Sequence, residues 1–280
     1  GCPASPKQNR FITDVITDGV FVRLFLEGGE GYVPPSTKDF DLPPVIHGNI
    51  YTTKPILMVF LSVILISIFF IFASRKAAIV PSKLQFAGES IYSFVRKDLG
   101  EEIIGHDFVK YVPYLFTLFI FVLVNNLFGI IPLLQFPTMS HVAFPYVLAI
   151  STYGIFHWIG FKKHGPVKYL KDIMFMPGVP KFAYILLTPI EIATYFITRP
   201  LTLALRLFAN MFAGHLLLLV FILGGDHLLQ GVIGLKLVSP FAFSMGIVMT
   251  FFEFMVQCLQ AYIITLLSAL YIAGALADEH

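Results

Sequence analysis

The sequence predicts an all-α integral membrane protein with five transmembrane crossings, and three observations carry that prediction. Its apolar stretches are long and unbroken, where a membrane barrel alternates apolar and polar residues over short segments. Only 13% of the 280 residues are charged against 57% hydrophobic, well below the quarter expected of a soluble domain. Lysine and arginine gather in two of the connections between apolar stretches and avoid the others. Thirty phenylalanines beside one tryptophan suit a lipid-facing surface. A net charge of +2, with no basic tract or stacking platform, gives no footprint for nucleic acid.

Residues 1–54 mix charge with proline and glycine and read as an external tail with little intrinsic structure, ahead of one membrane domain over 55–280. A crossing takes about 20 apolar residues. The first runs over 55–73, carries no charge, and stops at Ser74-Arg75-Lys76. Residues 81–107 are too polar to cross. There Leu84, Ala87, Ile91 and Phe94 recur at helical spacing, with Lys83, Glu89, Arg96 and Lys97 elsewhere. That pattern predicts an amphipathic helix lying along the cytoplasmic interface, or equally a loop helix in water.

The second and third crossings occupy 111–134 and 142–161, the third stopping at Lys162-Lys163-His164. His157, beside Trp158, reads as an interface anchor. Two longer stretches follow, over 182–223 and 237–277. Each is about 60 Å long as a helix, twice a hydrocarbon core. Pro189 and Pro200 permit kinks, but no glycine–proline breaker lies near Arg206. The expectation is two long, strongly tilted C-terminal helices, a geometry suited to wrapping a cylindrical partner.

The positive-inside rule orients the crossings. Arg75, Lys76, Lys83, Arg96, Lys97 and Lys110 fall between the first two, and Lys162, Lys163, Lys168, Lys171 and Lys181 between the third and fourth. The opposite connections carry only Lys236. Five crossings then leave the N-terminal tail outside and Asp278-Glu279-His280 in the cytoplasm.

Function is carried by charges that lipid does not tolerate cheaply. Arg206 lies deep in the fourth stretch and cannot shed its proton at biological pH. Glu253 is the only charged residue between Leu237 and Ala277. One fixed cation and one titratable anion, on separate apolar helices, point to ion movement across the membrane. Asn210 shares the face of Arg206, whereas His215, nine residues on, falls on the opposite face. Glu253, Gln257 and Gln260 form one stripe, which Tyr271, five turns from Glu253, extends. Counted from the external ends, His215 lies about 13 Å deep, Glu253 about 24 Å, Arg206 about 26 Å and Gln260 about 35 Å.

Other readings stand beside this one. Arg206 and Glu253 could form an internal salt bridge, and His215, Asn210 and Gln260 could serve as polar glue between helices. Arg199 and Glu191, near the cytoplasmic end, fit side chains snorkelling to the interface or lining an inner exit. Cys2 and Cys258 are far apart in the expected topology and suggest no metal site; Cys258 reads as a small buried hydrophobe. No nucleotide-binding glycine loop occurs. No cofactor or metal is therefore expected, and the chain is not an enzyme by itself. The alternative, a stand-alone channel or secondary transporter, calls for its own repeats and broken helices, and no internal repeat is visible.

The run from Pro200 to His215, centred on Leu-Arg-Leu-Phe-Ala-Asn-Met-Phe-Ala-Gly, resembles subunit a of F-type ATP synthases. So do Glu253 with Gln260 seven later, the following Ala261-Tyr262, the acidic-histidine C-terminus, and Asn126 through Pro132. The resemblance covers about residues 50 to 280. It implies a stator half-channel subunit in a bacterial plasma membrane, passing protons to a rotating ring of c subunits. Peripheral-stalk b subunits and the rest of the synthase are the further partners implied. By resemblance, Arg206 matches the essential arginine facing the ring carboxylate. His215, Glu253, Asn210 and Gln260 match positions lining the outer proton path, and Tyr271 a polar position farther along. Ala209 departs from a glycine often found there. The histidine preceding the glutamate is the order of mitochondrial members and the reverse of some bacterial ones.

Overall fold

Nothing interrupts a helix between Ile56 and Ser74, and α1 runs over Lys54–Ser74 in the computed structural model, which describes residues 54–75, 81–131, 143–174, 184–230 and 233–276. The N-terminal tail, apart from residue 54, and residues 277–280 lie outside the described residues. Every regular element among the described residues is helical. The hydroxyls of Ser62 and Ser67 fold back onto the carbonyls of Val59 and Val63, each at 2.7 Å, so α1 leaves no bare hydroxyl in an oily stretch.

The amphipathic segment is helical, but its buried line differs from expectation. Helix α2, Lys83–Phe94, starts where Ser82 accepts from the Gln85 backbone N–H at 3.3 Å. It continues through a π-helical turn, Val95–Glu101, into the short α3, Glu102–Ile104, and ends at Gly105 with φ 77°. Gln85, Gly88, Val95 and Leu99 are buried, whereas Leu84 and Phe94 of the expected apolar face are exposed. Gly88 faces α1 there, and a Cβ on it would stand in ordinary contact, 3.6 Å from Phe70 and from Ala73. Leu84, Phe86 and Tyr92 are exposed, and Phe94, also exposed, has its ring 5.8 Å from Phe119 and 6.0 Å from Tyr262.

A 3-10 turn, Phe108–Lys110, leads into α4, Val112–Leu127, which is shorter than the stretch expected to cross. Residues 128–131 close it in tight turns ahead of Pro132, whose ring disfavours helix in the residue before it. Helix α5, Ala143–His164, extends one turn past the expected end, so Lys162, Lys163 and His164 sit in its last turn, where the helix dipole favours cations. Gly165 at φ 80° breaks it, and α6, Pro166–Met174, follows.

The fourth stretch is helical without a gap. It comprises α7, Tyr184–Ala193, a π-helical turn, Thr194–Thr198, and α8, Arg199–Gln230. The fifth is α9, Ile233–Leu276, unbroken over 44 residues despite Pro240. Among the described residues, three helices are long and apolar enough to cross a membrane: Ile56–Ser74, Leu186–Leu229 and Lys236–Leu276.

The described residues form two compact units, one from 214–252 and one from 54–213 with 253–276. In the first, the Ser239 hydroxyl donates to the Gly225 carbonyl at 2.8 Å, and Gly225 lies so close to Phe243 that a Cβ would meet its ring at 3.2 Å. The second holds a continuous core that includes Leu99, Leu115, Val122, Phe156, Leu207 and Ile264. Asn125 and Asn126 end α4 inside it. Asn125 donates to the Ser62 hydroxyl at 3.0 Å, and Asn126 to the Gln257 carbonyl at 3.3 Å, tying α4 to α1 and to α9.

Candidate proton-handling site

The face that α8 buries is set by its apolar spacing. Leu203, Ala204, Leu207 and Met211 repeat at three and four residues and pack into the core. The opposite stripe, Thr202, Arg206, Ala209, Asn210 and Ala213, is exposed. Among the described residues Arg206 makes no side-chain hydrogen bond or ion pair. An internal salt bridge to Glu253 is therefore not formed. Ala209 and Ala213 flank the guanidinium with small side chains, so another helix can come close to it.

Helix α9 turns its polar residues inward. Glu253, Gln257 and Gln260 are 4%, 3% and 2% exposed, as their common stripe predicts. The Gln257 side-chain amide donates to Glu253 Oε1 at 3.1 Å and lies 3.8 Å from Met211 Sδ. Glu253 Oε2 has no hydrogen-bond partner among the described residues. One turn farther, Asn210 Nδ2 donates to Gln260 Oε1 at 2.8 Å. Two separate polar contacts, Gln257 with Glu253 and Asn210 with Gln260, therefore lie along one stripe of α9, and Gln257 Oε1 and Gln260 Nε2 have no partner among the described residues. The first holds a group that can exchange a proton, and the second lies one turn from a cation that cannot.

His215 is buried in the other unit, and its burial against the exposure of Arg206 agrees with the opposite faces derived from their spacing. Tyr271 lies five turns along α9 from Glu253. It is half-buried beside Phe156, with ring centroids 5.4 Å apart. The Arg199 guanidinium lies 4.1 Å over the Tyr195 ring and 5.5 Å from that of Tyr271, so Arg199 is held by aromatic faces as well as reaching outward. Glu191 is half-buried on α7.

His157 departs from the sequence reading. It is only 8% exposed, and neither ring nitrogen has a partner among the described residues. Tyr153, Phe156, Phe196 and Tyr195 surround it at 4.3, 4.4, 5.5 and 5.7 Å, and the exposed neighbour at the interface is Trp158. The Tyr153 hydroxyl donates to the Tyr195 carbonyl, closing this aromatic cluster. The signal was present: Tyr195 stands four residues before Arg199, and Tyr153 four before His157, each on its neighbour's face. Cys258 is half-buried and unpaired. No group of side chains suited to a metal occurs among the described residues.

A family model for the ATP synthase A chain matches residues 56–273. The chain belongs to the ATP synthase A chain family. A Nocardioides protein named ATP synthase subunit a is 47% identical over 264 residues, 90% of this chain and 96% of its own length. One of the same name from Pseudarthrobacter chlorophenolicus is 46% identical over 91% of this chain and 97% of its own. A third, from Arthrobacter, reaches 49% over 74% of this chain and 78% of its own. Membership of the ATP synthase A chain family, together with the long apolar helices, fits a transmembrane chain of the proton-transporting membrane sector in ATP synthesis.

Proposed function

We propose that this chain is the proton-translocating stator subunit of a rotary F-type ATP synthase, non-catalytic by itself, providing two aqueous half-channels to a ring of c subunits. The observation that carries it is Arg206, exposed on a stripe of small residues with no carboxylate among the described residues bound to it. A guanidinium in lipid needs a counterion, and a ring carboxylate in its ionised form is the natural one.

Protons enter from outside past His215 and Glu253 and neutralise a ring carboxyl near mid-membrane. A neutral carboxyl can rotate through lipid, whereas an ionised one cannot without great cost. Arg206 draws in the ionised form and blocks a direct leak between the two paths. Asn210 and Gln260 line the outer path. Tyr271 extends the Glu253 stripe farther along the last helix, and Arg199 and Glu191 lie toward the inner exit. Five crossings, steep tilt of the two long helices, an outside N-terminus and peripheral-stalk b subunits as neighbours complete the reading.

The test is Arg206→Ala in membranes carrying the whole synthase. Synthesis driven by a pH gradient is abolished, and passive proton leak through the membrane sector remains. Coupled synthesis at the normal rate overturns the role.

A further inference from the structure

We propose that the junction of α5, the 3-10 turn and the end of α9 binds the phosphate headgroup of an anionic phospholipid at the membrane boundary. A cleft of about 490 Å³ opens there, within the size range of ligand sites. Lys110, Lys162 and Lys163 line it, and Asp107 is the one carboxylate among its described lining residues. That carboxylate is already engaged: Lys110 Nζ donates to Asp107 Oδ1 at 2.9 Å. Lys163 donates to the carbonyl of Leu276, which fixes the last turn of α9 at the edge of the cleft. Lys162 is exposed and makes no hydrogen bond or ion pair among the described residues. The ammonium groups thus outnumber the acid, and Lys162 is available to an incoming anion.

The rest of the lining separates a lipid from a free anion. Trp158, one turn before Lys162 and 72% exposed, lines the cleft with Ile159 and Tyr111. An apolar and aromatic wall beneath cations matches a phosphate with acyl chains below it, and tryptophan favours that depth of the bilayer. Basic pockets between membrane helices recognise such headgroups. Inorganic phosphate would use the lysines and leave the wall unused. The proposal rests on the membrane reading of α5 given above. Its readout is lipid retention by the full chain, which does not depend on proton coupling, so either reading can fail while the other stands.

The full chain in nanodiscs of phosphatidylcholine with a minor share of phosphatidylglycerol is released into detergent, and retained lipid is read by native mass spectrometry. The wild type retains phosphatidylglycerol preferentially. Lys162→Gln lowers that retention several-fold, Lys110→Gln/Lys162→Gln about tenfold or more, and Lys162→Arg preserves it. Lys83→Gln, outside the cleft, leaves it unchanged. Retention unaltered by Lys162→Gln and by the double variant overturns the proposal. So does displacement of the lipid by millimolar inorganic phosphate, which assigns the lysines to a free anion. Unchanged lipid with loss of other synthase chains from the purified complex also overturns it, in favour of an acidic protein segment.

Discussion

Asn210 Nδ2 donates to Gln260 Oε1 at 2.8 Å, so the α8 residue one turn beyond Arg206 is fixed to the buried polar line of α9. A proton path built on this contact makes the two residues act as a unit. Asn210→Leu and Gln260→Leu are each expected to slow ATP-driven proton pumping several-fold in inverted vesicles. Asn210→Leu leaves the buried Gln260 amide oxygen without its partner, at a cost of about 1–3 kcal/mol, whereas removing both side chains spares that penalty. The double variant should therefore pump no worse than the worse single one. Strictly multiplicative losses would assign the residues to separate tasks.

Glu253 and Gln257 allow packing to be separated from proton carriage. Glu253→Gln preserves shape and can still exchange a hydrogen bond with Gln257, now at 3.1 Å from Glu253 Oε1, but it cannot titrate. The assembled synthase should keep its melting temperature while proton flux through its membrane sector falls about tenfold or more, a typical share for a positioned acid–base group. Glu253→Asp, still titratable, should recover part of the flux. Equal flux in all three proteins, followed by a pH-sensitive dye in sealed vesicles, would remove Glu253 from the path.

Helix existence was legible because long apolar runs leave the backbone no other way to satisfy itself in lipid. The opposed faces of Arg206 and His215, and the common stripe of Glu253, Gln257 and Gln260, followed from 3.6 residues per turn alone. What periodicity could not carry was contact between helices distant in sequence. The line buried on α2 escaped periodicity because the residues on it, Gln85 and Gly88, carry no apolar side chain to count. The π-helical turn at Val95–Glu101 then continues the buried line through Val95 and Leu99. The ring partners of Tyr271, Phe156 at 5.4 Å and the Arg199 guanidinium at 5.5 Å, lie on other helices and leave no mark in the periodicity of α9. His157 was placed by its neighbour Trp158, and only tertiary packing reveals which of the two is buried.

Gly160 and Tyr169 make the tightest approach between α5 and α6. A Cβ on Gly160 would lie 2.3 Å from Cε2 and 2.5 Å from Cζ of Tyr169, which is itself 5% exposed. A buried ring has little room to retreat, so Gly160→Ala is expected to destabilise the chain by about 1–3 kcal/mol. Tyr169→Ala costs a similar or larger amount through the cavity it opens. The double variant should lose less than the two singles together, because the new methyl occupies part of that cavity. Thermal melting of the four proteins in one detergent measures the coupling, and additive losses would place the clash elsewhere.

Asp107 and Lys110 supply a pH-dependent contact outside the crossings. The hydrogen bond and charge of Lys110 hold the Asp107 carboxyl below its ordinary 3.8, and Asp107 in turn raises Lys110 above its ordinary 10.5. Because the native state binds the carboxyl proton less tightly than the unfolded chain does, the contact contributes in full above 3.8 and is lost as pH falls through the native Asp107 value. The lysine sets the other limit: its share is present below 10.5 and lost as pH rises through the native Lys110 value. A carbon-13 titration of the Asp107 carboxyl should give a midpoint under 3.8 that returns toward it in Lys110→Gln. An unmoved midpoint would mean that the Lys110 bond does not persist in solution. The same pair governs the lipid cleft. Asp107→Asn removes the one acid among its described lining residues and releases Lys110, so it should raise phosphatidylglycerol retention where Lys162→Gln lowers it. Opposite signs from two neutralising substitutions on one cleft are the response of an anion site, and a purely steric pocket would not produce them.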